Sequence, residues 1–165
     1  MGFFDGKKAV ITGLASNRSI AWGISKAMAQ QGAELILTYE NEKLRSRAEK
    51  FSSELGFNTV LPCDVSKDSD ITEMVDNLKD KWGNVDIFVH SIAYAPREEL
   101  EGMFLDSVTR SGFRTAHEIS SYSFTAIARE IRPIISPGGS MLTMSYIGSQ
   151  RAMPGYNVMG LAKAS

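Results

Sequence analysis

Lys8-Ala-Val-Ile-Thr-Gly13-Leu-Ala-Ser-Asn-Arg-Ser19-Ile20-Ala-Trp-Gly23 is the stretch on which the reading of the fold turns. Lys8–Gly13 reads as a short buried strand that ends in glycine, where the missing Cβ lets a turn pass close to a ligand. Ser19 then stands where a helix N-cap belongs. Ile20, Ile24, Ala27 and Met28 follow at i, i+4, i+7 and i+8, predicting a helix over 19–31 that Gly32 stops. Gly23 is expected to let that helix pack tightly on a sheet. Outward from this unit the alternation continues. Strands are expected over 33–39, 58–65, 85–92 and 140–145, with Pro62 marking the point where pairing of the third is finished. Helices are expected over 43–55, 69–82 and 109–135, fraying near Pro133, and a last one begins near Tyr156. Such alternation predicts an α/β fold: a doubly wound parallel sheet of about five strands, covered on both faces by right-handed crossovers as three α/β/α layers.

The chain has 165 residues, a formal net charge of −1 and 43% hydrophobic residues, enough for a single domain over 1–165 with a sizeable core. Eighteen basic residues are balanced by nineteen acidic ones, so there is no electrostatic case for nucleic acid or an anionic membrane as partner. No apolar stretch is long enough to span a bilayer, and the N-terminus lacks the apolar core of a signal peptide. One cysteine, Cys63, excludes an internal disulfide and fits a reducing cytoplasm. No spacing of His, Cys and carboxylates makes a metal set, so no metal is expected. Ala93–Val108 shows little periodicity and is long for a connection, which reads as a functional loop.

In doubly wound folds ligands bind at the carboxyl ends of the strands. Gly13, Glu40, Asp64-Val65, Ile92 and Tyr146 fall there. Ser19 and the N–H groups that follow it can meet a pyrophosphate, or they are an ordinary glycine turn and cap. Glu40 can accept from ribose hydroxyls and repel a 2′-phosphate, favouring NAD; equally it is a surface residue near a helix N-terminus. Lys43 and Arg45 keep NADP open. Asp64 can accept from an adenine amino group or cap the following helix. Near the end, Tyr156 and Lys163 lie seven positions apart, about 20° in azimuth and ~10 Å along one helix. On one helix that is a shared face, on which an ammonium binds a cofactor hydroxyl while a phenol addresses a substrate oxygen.

With Gly13…Ser19-Ile20-Ala21, Cys63-Asp64-Val65, His90-Ser91-Ile92, Ser145-Tyr146 and Tyr156-x₆-Lys163 together, and the opening Met-Gly-Phe, the whole chain resembles the NADH-dependent enoyl-acyl-carrier-protein reductases. These are divergent short-chain dehydrogenases with a Rossmann-like fold. Ordinary members place the tyrosine four residues before the lysine; position 159 here is Met, and Tyr146 falls near their serine, so a carbonyl reductase is the weaker alternative. The resemblance implies hydride transfer from NADH to the β-carbon of a trans-2-enoyl thioester on acyl carrier protein, in fatty acid synthesis. It implies catalytic Tyr146, Tyr156 and Lys163, with cofactor contacts at Gly13, Ser19, Ile20, Asp64, Val65, Ile92 and Lys163. The family commonly has Gln at position 40, so the role of Glu40 rests on chemistry alone. Substrate contacts fall on Ala95, Tyr146 and Tyr156, with Tyr94, Phe104, Met153 and Met159 as candidate walls of an acyl channel. Phe104 and Met159 read first as core.

The resemblance also implies a homotetramer, and a site open to diphenyl-ether inhibitors. Relatives continue for about another hundred residues with two more strands and a substrate-covering loop, so this chain reads as a fragment with an unpaired edge at its fifth strand. By itself it is expected to be marginally stable and nearly inactive; an inactive nucleotide-binding fragment is the other alternative.

Overall fold

The computed structural model describes residues 2–165; Met1, part of the opening Met-Gly-Phe, lies outside them. The strands are β1 (Lys8–Ile11), β2 (Glu34–Tyr39), β3 (Val60–Pro62), β4 (Val85–His90) and β5 (Ile135–Thr143). The helices are α1 (Ile20–Gln30), α2 (Glu42–Glu54), α3 (Asp68–Trp82), α4 (Phe104–Ser107), α5 (Arg110–His117), α6 (Ser123–Ile131) and α7 (Asn157–Ala164). The chain divides into two compact units, 1–91 with 127–143, and 92–126 with 144–165.

The first unit holds the sheet, with all strands parallel in the order β3-β2-β1-β4-β5. Ala9, Val10 and Ile11 are fully buried in sequence, as are Leu35, Ile36 and Leu37. Consecutive burial, with no polar alternation, is what a parallel sheet covered on both faces requires. Trp22 of α1 and Phe51 of α2 meet at 4.8 Å between ring centroids, so these helices share one face. The crossover from β3 to β4 runs the opposite way across the sheet, and right-handedness sends α3 to the other face. Ile71, Met74, Val75, Leu78 and Trp82 form the buried stripe of α3, each contributing about 1.5–3 kcal/mol of apolar burial. The Trp82 indole N–H donates to Glu34 Oε1 at 2.6 Å.

Several expectations are corrected. The inner face of α1 is Ala21, Ser25 and Met28, and Ile20 is 65% exposed. Small residues let the helix lie close to the sheet, and this turns the larger Ile20 outward. Gly23 is exposed with nothing near the place of a Cβ, so it makes no tight packing contact. β5 begins at Ile135, not Ser140: Ile135 pairs with Val85, residues 136–139 bulge out, and pairing resumes between Ser140 and Ile87. β5 is the sheet edge, and Leu142 on it is 46% exposed. The helix expected over 109–135 is broken into α5, a π turn (Glu118–Tyr122), α6 and a 3₁₀ turn at Arg132–Ile134.

The second unit is helical. Ala116, Val158, Met159 and Ala162 form its core, against which Ala95, Leu100, Phe104, Val108 and Tyr156 pack. Phe104 and Met159 are thus packing residues.

Candidate active site

In the first unit the strand order reverses between β1 and β4, the place where doubly wound sheets open a ligand crevice. Thr12 closes its floor. Its N–H and its hydroxyl both donate to Val89 O, at 3.0 and 3.1 Å, and its oxygen accepts from Ser91 N–H at 3.3 Å. Gly13 follows with φ +80°, a left-handed turn that a side chain would strain. Ser19 caps α1, accepting from Trp22 N–H at 3.3 Å, and no acidic residue occupies the first turn. That helix end therefore presents free N–H groups and a positive dipole without a competing carboxylate, which fits a pyrophosphate. The exposed Ile20 stands beside it. Arg47 of α2 donates to Ala15 O at 2.7 Å and ties the glycine loop to its neighbour helix.

At the end of β2, Glu40 is exposed. Arg45 is engaged by Glu42 at 3.3 Å and Glu49 at 2.9 Å. Lys43 is exposed. Asp64 Oδ1 accepts from Ser66 N–H at 3.0 Å and Ser66 Oγ–H at 2.7 Å, while Oδ2 lies 3.1 Å from Lys67 Nζ. Burial works against the Asp64 charge, but the bonds from Ser66 and Lys67 prevail and hold the carboxyl below its ordinary value. It closes an Asx turn ahead of α3 and does not cap that helix, whose N-cap is Lys67; its Oδ2 retains a lone pair for a ligand amine. Val65 beside it is buried.

In the second unit Lys163 lies in the last turn of α7. Its ammonium donates to Ile92 O at 2.8 Å and Ser120 O at 3.1 Å. Burial pulls Lys163 below its ordinary value. Two of the three N–H bonds are taken by carbonyls and one is left to donate. Ser120 belongs to the π turn, whose irregular ladder turns a helix carbonyl toward a side chain. Its hydroxyl accepts from Tyr94 N–H at 2.9 Å and donates to Tyr94 O at 3.0 Å.

Tyr156 sits outside α7 as its N-cap, and Asn157 after it has φ +35°. Tyr156 and Lys163 are therefore not joined on one helical face as the spacing expects, because α7 does not run through residue 156. Tyr146 and Tyr156 instead meet edge to face, centroids 4.9 Å apart. Burial, then the neighbouring Tyr146, raises Tyr156 above its ordinary value, so it stays a phenol. A Cβ on Gly148 would overlap the Tyr156 ring, and one on Gly160 would lie 2.8 Å from Gly148 O. An open cavity of about 370 Å³ is lined by Tyr156, Gly148, Met153, Phe104 and Leu161. Ala95 packs on the α7 core, while Tyr94 is 52% exposed.

Gly148, Gly160, Ser120 and Asn157 escape a reading of residue types. Only the succession Gly155-Tyr156-Asn157, rich in residues that tolerate positive φ, signals a turn where a helix was expected.

A family model described as enoyl-(acyl carrier protein) reductase matches residues 13–165. The enoyl-acyl-carrier-protein reductase (NADH) of Salmonella typhimurium is 53% identical over 165 residues, 100% of this chain and 63% of the relative. That of Escherichia coli is 52% identical over the same shares. The chain thus spans about two-thirds, or slightly less, of these relatives. The crystal structure of the Aquifex aeolicus enzyme superposes with a TM-score of 0.96 at 46% identity, covering 99% of this chain and 65% of that one. The Anaplasma phagocytophilum enzyme, solved in complex with NAD, gives 0.94 at 43% identity, covering 98% and 61%. The Rossmann-like parallel sheet lies within both superpositions, and the chain belongs to the enoyl-acyl-carrier-protein reductase family.

Proposed function

We propose that this chain supplies the nucleotide contacts and reacting groups of an enoyl-acyl-carrier-protein reductase that uses NADH in fatty acid synthesis. The observation that carries the reading is the state of α7: an ammonium anchored by two carbonyls with one donor left, on a helix whose N-cap residue, Tyr156, carries a phenol that stays protonated. When bound, reduced nicotinamide supplies the hydride that adds to the β-carbon of a trans-2-enoyl thioester. Tyr156 donates a hydrogen bond to the thioester oxygen, where negative charge gathers as the transition state forms, and there a fixed donor lowers the barrier most. Tyr146 braces the Tyr156 ring and faces the same substrate. The remaining Lys163 donor holds a ribose hydroxyl. Gly13, Ser19 and Ile20 take the pyrophosphate, Asp64 and Val65 the adenine, and Ile92 the nicotinamide end. Glu40 takes ribose hydroxyls and, with Arg45 engaged by its own neighbours, favours NADH over NADPH.

We place residues 1–165 in one dinucleotide-binding domain whose acyl-channel wall includes Ala95. Association into a homotetramer is supported by Phe113, 40% exposed and stacked on His117 at 4.1 Å, and by Tyr122, 48% exposed. A cytoplasmic setting is supported by the free, buried Cys63 thiol. Paired tyrosines beside a nicotinamide also suit an aromatic diphenyl-ether inhibitor. The test is NADH consumption by the full-length protein with crotonyl thioester against a simple ketone. Turnover of the thioester alone is expected; turnover of the ketone alone would replace this reading with a carbonyl reductase.

A further inference from the structure

Asn157 is the non-glycine residue with positive φ among those described. That conformation is strained for most side chains and tolerated best by Asn. It lies next to Tyr156, and strained backbone beside a reacting group is a pointer to a role. The Asn157 amide nitrogen is fully engaged. Nδ2 donates to Gly102 O at 3.3 Å and to Ser107 Oγ at 3.2 Å, so both amide protons are used. Ser107 Oγ reaches Glu99 O and Phe104 O, each at 3.4 Å. Glu99, 1% exposed, accepts from Thr109 N–H at 3.0 Å and Thr109 Oγ–H at 2.5 Å. Residues 99–109 contain little regular structure, yet they are closed on both sides. Leu100, Phe104 and Val108 pack on α7, and the Asn157 amide clasps the segment to its first turn. On the other side of the same peptide the Tyr156 ring lies on Gly148, where no side chain fits.

We propose that Asn157 is a positioning residue for Tyr156: its left-handed peptide aims the phenol, and its amide, clasped to Gly102 and Ser107, holds that aim while substrate binds. The inference rests on the reductase reading above. It makes the 99–109 segment part of the catalytic apparatus, because a shift of Gly102 or Ser107 reaches the phenol through one side chain.

The test compares Asn157→Gly, Asn157→Asp and Tyr156→Phe in the full-length protein, with NADH and crotonyl thioester. Glycine keeps the left-handed backbone and removes the clasp. Aspartate keeps the shape but presents acceptors, not donors, to the Gly102 carbonyl. Both variants should fold, bind NADH within about twofold of the parent and lose about tenfold or more in kcat, since misplacement on the order of 1 Å carries losses of that size. Parental kcat in both variants, alongside a slowed Tyr156→Phe, would overturn the proposal and leave the reductase reading intact. A kcat loss that only tracks the unfolded fraction would overturn it too, as a purely structural role. Full turnover by Tyr156→Phe as well would remove the reductase reading and this inference with it.

Discussion

Ser120→Ala removes one oxygen and tests how the Lys163 platform is built. The Ser120 hydroxyl, in a residue 3% exposed, serves both backbone groups of Tyr94, at 2.9 and 3.0 Å. Alanine leaves an N–H and a C=O without that partner, at about 1–3 kcal/mol for each buried group. Water reaching the half-exposed Tyr94 lowers the sum, and alanine's higher helix propensity offsets about 0.5 kcal/mol. A net loss of about 2–3 kcal/mol follows from these unpaired groups. In a thermal melt that is roughly 4–12 °C for a domain of this size class. Because Ser120 O and Ile92 O both hold the ammonium, the same variant should weaken NADH binding more than it slows turnover at saturation. Ser121→Ala, one residue on, removes only an exposed bond with Ser165 Oγ and is the control; it should shift the melt far less. A Ser120→Ala melt within about 1 °C of the parent would show that the hydroxyl is not what pins Tyr94.

Gly112→Ala should destabilise by about 1–3 kcal/mol in a denaturant titration, because its Cβ would overlap the buried Glu99 carboxyl that holds Thr109, the N-cap of α5. Cys63 is pushed up to about 12, first by burial and then by Asp70 and Asp64, so iodoacetamide at pH 8 should label it only after unfolding. Lys163 sits below its ordinary value, so its charge is lost before that of an exposed lysine as pH rises; NADH affinity should therefore fall on the alkaline side from below pH 10.5, the ordinary lysine value. Asp86 is held low, because hydrogen bonds from Lys8 N–H and Ser136, with Lys7, outweigh burial. Its contribution to stability is then full above pH 3.8 and lost as pH falls through the lower folded value, a loss that Asp86→Asn should abolish in acid melts.

Much of the fold is legible because its signals are local. Strand–helix alternation, the Ser19 cap and the glycine stop at 32 depend on neighbours in sequence. What is hidden depends on distant partners. Ile135 joins the sheet only because Val85 lies opposite, and the Pro137-Gly138-Gly139 run between it and Ser140 reads as a turn, which in the ladder is a bulge. The inner face of α1 is taken by Ala21 and Ser25, which carry no apolar signature, so periodicity follows the wrong stripe. The site shows the same division. Lys163 stands within a regular helix, as expected of the chain after Tyr156. Tyr156 is found as a residue type, but its direction comes from the turn at Asn157 and the gap left by Gly148, neither of which helical arithmetic contains.

The proposed roles divide labour between α7 and its N-cap residue: Lys163 to hold cofactor, Tyr156 to act on substrate. The direct measurement is NADH affinity and kcat with crotonyl thioester for Lys163→Ala and Tyr156→Phe in the full-length protein. The lysine variant is expected to lose NADH binding, while the tyrosine variant binds NADH normally and turns over slowly. Both variants binding NADH and turning over like the parent would contradict this division.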